Sequence, residues 1–171
     1  MTTGLWEITH TVETSASPGL AWNYWTNVAH WDDPPAEFAL EGPFAPGSRG
    51  TTRLPGQEPS SWVIREVAAP NSATIELKVG EGVSIFFKWR VDGLDDGRTR
   101  LTQRIMLAGE KADAFLDQAK AAFSTSPADG MRRLAAAMAE AERSGAAKRR
   151  HNENDGNNRE MASETARWCP R

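Results

Sequence analysis

Few side chains in this sequence are suited to covalent chemistry. There are three histidines and one cysteine. His10 falls on the apolar side of a run in which Trp6, Ile8 and Val12 alternate with Glu7, Thr9, Thr11 and Glu13. An imidazole there could take a proton from a bound molecule as a general base. A hydrogen-bonded histidine near a strand end is the simpler reading, and it takes precedence because no partner carboxylate can be placed. Arg104 carries a fork of donors suited to a ligand carboxylate or phenolate. It fits equally on a solvated face beside Arg98, Arg100 and Thr102. Gln103 is its mirror case: if Leu101 and Ile105 face inward, Gln103 does too, as a polar orienting group.

The stretch His30-Trp31-Asp32-Asp33 sets two carboxylates beside an imidazole, which suggests a metal or acid–base pair. A capped helix end followed by a solvated turn accounts for it better. Metal sites need three or four converging ligands, and the chain shows no CxxC, HxxxH or EF-hand spacing. No metal and no cofactor are expected. Nucleophilic catalysis has no G-x-S-x-G elbow, and Cys169 lies in a polar C-terminal segment. Gly80-Glu81-Gly82 and the glycines at 47 and 50 do not open a helix after a strand, so they are not phosphate loops.

The aromatic residues carry more information. Seven Trp and six Phe stand against one Tyr. Trp22, Trp25, Trp31, Trp62, Phe87 and Trp89 would make a flat-walled cavity for a ring-bearing or lipid-like ligand. Taken singly, each ring is ordinary core, burying about 150–250 Å². Taken together, some of them are expected to face open space.

These residues need elements to hold them. Trp6–Val12 reads as a half-buried strand. Ser17-Pro18 is a good N-cap and first helical position, and Ala21, Trp22, Trp25 and Val28 follow at helical spacing. Asp32-Asp33-Pro34-Pro35 ends that helix near Trp31. Short strands follow around Phe38–Leu40, Gly50–Leu54, Trp62–Val67, Ser72–Val79, Val83–Asp92 and Arg98–Leu107, separated by Gly and Pro turn signals. Glu81-Gly82 lies inside a tight hairpin connection. From Glu110 onward Phe115, Leu116, Ala119, Ala122 and Phe123 recur at helical spacing. Ser126-Pro127 interrupts, and Met131, Leu134, Ala135 and Met138 resume one apolar stripe up to about Ser144-Gly145. A sheet with this much hairpin connectivity needs one face covered, and the terminal helix is the available cover. Met131 and Ala135 are therefore expected to border the cavity.

The net charge is −3, from 20 Lys/Arg and 23 Asp/Glu. Residues 148–171 hold six Lys/Arg and four Asp/Glu, which leaves 14 and 19 to the rest of the chain. An acidic domain of this kind is a poor partner for a nucleic-acid backbone. Lys148-Arg149-Arg150 is too short a basic patch to change that. A lone cysteine permits no internal disulfide. Met1–Thr14 has no basic region leading into an apolar stretch, and no run reaches the ~18 apolar residues of a membrane span. A cytoplasmic location is expected. The division is one domain over residues 1–147 and a disordered polar tail over 148–171, whose lack of apolar residues cannot offset ordering.

The order of these pieces resembles a known family. "SASPGLAWNYWTNVAHW", "GPFAPGSRGTTRL", "WVIREVAAPNSATIEL", "TRLTQRIMLAG" and the terminal "GMRRLAAAMAEAE" are similar to the START-like ligand-binding superfamily, also called SRPBCC. Within it, the chain resembles the polyketide cyclase/dehydrase-type proteins of bacteria. The resemblance covers about residues 4–145. It implies an α+β helix-grip fold, in which a curved antiparallel sheet of about seven strands wraps a long C-terminal helix. A tunnel between them usually takes small apolar or aromatic molecules. The superfamily includes lipid and steroid carriers, cyclases, hormone receptors and chaperone-activating domains, and it has no universal catalytic motif to carry over.

Two functions follow as expectations. One is a carrier or sensor that holds a small hydrophobic molecule. The other is a cyclase, aromatase or dehydratase, with His10, Gln103 and Arg104 as its polar groups. A third, weaker option is a protein-interaction domain with an exposed apolar groove. Oligomeric state, a homodimer included, stays open.

Overall fold

The computed structural model describes residues 4–31 and 35–165, with side chains described as far as residue 150. Seven strands form one antiparallel sheet: β1 (Trp6–Thr14), β2 (Glu37–Leu40), β3 (Arg49–Arg53), β4 (Ser60–Ala68), β5 (Ser72–Gly80), β6 (Val83–Gly93) and β7 (Thr99–Gly109). Their order is β1-β7-β6-β5-β4-β3-β2. Strands β2 to β7 thus form a continuous meander, and β1 closes onto β7. The crossing from β1 to the far edge is made by helix α1 (Pro18–Trp25) and a 3₁₀ turn at Val28–His30. After β7 come a 3₁₀ turn at Ala112–Phe115, helix α2 (Leu116–Phe123) and helix α3 (Ser126–Thr165). This is the helix-grip arrangement, a curved sheet holding a long C-terminal helix.

Period-two alternation decides which residues face the helices. On β7, Leu101, Gln103, Ile105 and Leu107 are buried, while Arg100 and Arg104 are exposed. The register sets His10 opposite Gln103 on one side and Trp89 opposite Gln103 on the other. A register shift between Ile64 and Glu66 interrupts the β4–β5 ladder, and irregularities of this kind bend a strand and increase its twist. Gly50 is required by close approach. A Cβ there would lie 2.1 Å from the Trp62 ring, so the indole rests directly on the β3 backbone.

The buried residues form two clusters. One joins Trp22, Trp25, Trp62 and Trp89 to Met131 and Met138 of α3. The other joins Ile85, Ile105 and Leu107 to Ala112 and Ala119, with Phe115 and Phe123 packed against it. Phe87 packs against both. Buried hydroxyls tie α3 and the loop before α1 to the β1 side of the sheet. Thr14 Oγ1 donates to the Ala135 carbonyl at 2.8 Å and Thr99 Oγ1 to the Ala16 carbonyl at 2.7 Å.

Helix α3 passes the expected stop at Ser144-Gly145 without a break. A helical glycine costs only about 1 kcal/mol against alanine, and the surrounding Ala, Lys and Arg are strong helix formers. The helix also crosses the expected boundary at residue 148. Side chains beyond residue 150, and all of 166–171, lie outside the described residues, and most of the expected tail falls there.

Candidate functional site

A cavity of about 570 Å³ lies between α3 and the inner face of the sheet, where the two buried clusters meet. That volume is within the usual range for small-molecule sites, about 300–1,000 Å³. Its most regular wall is a chain of four indoles. Trp89 contacts Trp25 with ring centroids 5.1 Å apart, Trp25 stacks on Trp31 at 6.1 Å, and Trp31 lies 5.4 Å from Trp62. Phe38 meets Trp31 edge-on at 5.5 Å. Two of the indole N–H groups are held by the protein. Trp31 Nε1–H donates to the Trp25 carbonyl at 2.6 Å, and Trp62 Nε1–H to Thr52 Oγ1 at 3.1 Å. These bonds fix the ring planes. Phe87 and Phe123, in edge contact at 5.6 Å, supply a second apolar wall. The roof is one stripe of α3, in which Gly130, Leu134 and Ala137 line the space with Met131.

Polar groups on the walls are sparse. Gln103 reaches the cavity from the middle of β7. Tyr24 and His30 line it from the α1 side, and the exposed Arg133 borders it from α3. The His30 ring stacks on Tyr24, with centroids 3.9 Å apart. Its Nδ1–H donates to the Tyr24 carbonyl at 3.0 Å. A carbonyl can only accept, so this bond puts the proton of the neutral ring on Nδ1 and leaves Nε2 an acceptor. Among the described residues no group of three or more His, Cys, Asp or Glu converges as metal ligands would. No described helix is long and apolar enough to cross a membrane.

The fold agrees with what known proteins show. A family model described as polyketide cyclase/dehydrase and lipid transport matches residues 6–139. The chain belongs to that family. Among solved structures, truncated norcoclaurine synthase from Thalictrum flavum is similar at 16% identity and a TM-score of 0.61, covering 76% of this chain and 90% of that one. The Zhui aromatase/cyclase from Streptomyces is also 16% identical, with a TM-score of 0.57, covering 78% and 93%. A protein from Thermobifida fusca is 14% identical, with a TM-score of 0.61 and coverage of 78% and 93%. At such identities the likeness is one of fold. No curated protein matches the chain.

Within this cyclase/dehydrase fold, seven of the residues singled out in the sequence meet at the cavity: Trp25, Trp31, Trp62, Phe87, Trp89, Gln103 and Met131. Four do not. Trp22 packs behind Trp25 and against Phe44, with centroids 5.9 and 6.5 Å away, because it lies on the core side of α1. Ala135 is rotated toward β1, where its carbonyl accepts from Thr14. His10 Nε2–H donates to the Phe123 carbonyl at 3.1 Å. It thereby satisfies an end group of α2 and is not on the cavity wall. Arg104 is on the outer face of the sheet, paired with Glu7. Asp32 and Asp33 lie outside the described residues.

Tyr24, His30, Phe38, Phe123, Gly130 and Ala137 also line the wall, although they were not among the expected wall residues. Phe38 and Phe123 had a signal, their apolar periodicity. His30 and Tyr24, six residues apart, are brought together only by the turn after α1.

Proposed function

We propose that this protein binds a flat, ring-bearing or lipid-like small molecule in the cavity beneath α3, as a cytoplasmic carrier or sensor. The observation behind this reading is the wall of four contacting indoles facing open space. A planar ligand can lie against such a wall over most of one face. Removing about 300 Å² of apolar ligand surface from water at ~25 cal/mol per Å² yields about 7 kcal/mol before the entropic costs of association. Micromolar affinity needs no further chemistry. The family description, which names lipid transport beside cyclisation, is compatible with it.

A second reading is a polyketide cyclase, aromatase or dehydratase acting in the same space, and His30 favours it. This imidazole lines the cavity with Nδ1 committed to a carbonyl, the arrangement that leaves Nε2 ready to accept a proton. In this reading His30 takes the general-base role first considered for His10.

The test is a fluorescence titration with the uncharged probe N-phenyl-naphthylamine. Binding in the micromolar range is expected, and Ala137→Trp, which places an indole in the cavity, abolishes it. Unchanged affinity in the folded variant would sink the assignment of the site.

A further inference from the structure

The charge on the cavity wall runs against that of the domain around it. Residues 1–147 hold 14 Lys/Arg and 19 Asp/Glu. Among the described residues that line the cavity there is no Asp or Glu, and Arg133 is the one side chain with a permanent charge. Other polar groups on the wall are occupied or out of reach. The Thr52 hydroxyl accepts from Trp62, and that of Ser126 donates to the Ala122 carbonyl. The Gln103 Oε1 is fully buried with no hydrogen-bond partner among the described residues, so it offers a ligand no surface.

The helix sets where Arg133 stands. At about 100° per residue, Gly130, Leu134 and Ala137 make the cavity stripe of α3, and Arg133 follows at its solvent margin. Long helical side chains point back toward the N-terminus, and this one does. Its Nη2 lies 3.9 Å from where a Cβ on Gly130 would stand. Apart from the chain neighbours and the adjoining helix backbone, nothing else described comes within 4 Å of that point. The guanidinium thus reaches over a residue of the cavity wall, with open space beside it, while Arg133 stays exposed to water.

We propose that Arg133 is the head-group anchor of the cavity, and that the ligand is an apolar monocarboxylate. Its rings or chain lie along the tryptophan wall and its carboxylate meets the guanidinium at the solvent margin. This rests on the cavity-binding function proposed above and adds the charge of the ligand. The paired N–H donors of a guanidinium match a planar carboxylate. Arg133 also has a partner within the protein, and its five donors leave room for a second acceptor. One arginine balances the single charge of a carboxylate, whereas a phosphate monoester brings nearly two. At the margin the carboxylate keeps part of its hydration and escapes the heavy cost of burying an ion.

Three probes of similar size separate the possibilities: β-naphthoate, β-naphthamide and β-naphthylmethylammonium. Their affinities are measured by titration calorimetry at neutral pH for the wild type, Arg133→Gln and Arg133→Glu. Gln and Glu are both good helix formers, and either variant suffices if the other folds poorly. The wild type is expected to favour the carboxylate over the amide about tenfold, the low end for a charge-assisted hydrogen bond because Arg133 is exposed. The ammonium should bind weakest. The carboxylate-to-amide ratio falls to within about twofold in Arg133→Gln and below one in Arg133→Glu. Comparing this ratio between proteins cancels the different hydration of the probes. A carboxylate preference that survives in either folded variant, or a wild type without one, overturns the anchor; binding of N-phenyl-naphthylamine then leaves the cavity reading intact. A wild type that binds neither these probes nor N-phenyl-naphthylamine overturns both.

Discussion

Gln103 and Glu76 are both 9% exposed, and their surroundings lead to opposite expectations. Glu76 sits on the outer face, where Ser84 Oγ donates to one carboxylate oxygen at 2.6 Å and Arg65 to the other. Burial works to raise its pKa. The hydrogen bonds from Ser84 and Arg65, with the charges of Arg65 and Lys78, outweigh that and hold it below the usual carboxylate range. A carboxylate depressed in the folded state stabilises the fold above its unfolded pKa, and that stabilisation is lost as pH falls through the folded value. Glu76→Gln should therefore cost about 1 kcal/mol at neutral pH, the low end for a buried charged group because Arg65 is half exposed. In urea melts the gap from wild type should close under acid. Gln103→Leu should do the reverse and raise stability by about 1 kcal/mol, or about 3 °C in Tm. A Gln103→Leu protein that melts well below wild type would mean the amide supports the fold.

Among the elements, α3 shows what periodicity reveals and what it leaves open. The stripe Met131, Leu134, Ala135 and Met138 identifies a helix with a buried face. It does not fix the rotation of that face. Residues 135, 136 and 137 are all alanine, so no side-chain difference distinguishes the one over β1 from the one over the cavity. Tertiary contacts decide it, through the bond from Thr14 to the Ala135 carbonyl. Ala137→Trp fills the cavity and blocks the probe. Ala135→Trp instead overpacks the seam with β1 and should cost about 1–3 kcal/mol while the remaining folded protein still binds probe. Equal loss of binding in both would mean that the rotation assigned to α3 is wrong. The same limit applied to β7. Both of its faces mix polar and apolar residues, and only pairing with Glu7 on β1 puts Arg104 outside and Gln103 inside. The strands themselves, and the break at Ser126-Pro127, were legible because turn residues and alternation are local signals.

For the molecule as a whole, the sheet separates two environments. Its inner face carries the tryptophan wall, and its outer face carries ion pairs such as Glu7 with Arg104 and Glu13 with Arg100. The meander order was readable in the sequence, and a space under α3 was expected from the aromatic set and the family resemblance, but its size was not. A cavity is a property of how far a curved sheet stands from its helix, and composition does not encode that distance. Because the space lies where the two buried clusters meet, a ligand there touches both and completes the packing between them. Binding must then stabilise the entire fold by linkage. At a ligand concentration a hundredfold above Kd the gain is about 2.7 kcal/mol, which corresponds to about 8 °C for a domain of this size. Thermal melts across a series of N-phenyl-naphthylamine concentrations should follow that logarithmic rise, and Ala137→Trp should show none. A rise that persists in this variant would locate the probe elsewhere on the surface, because the cavity would no longer have room for it.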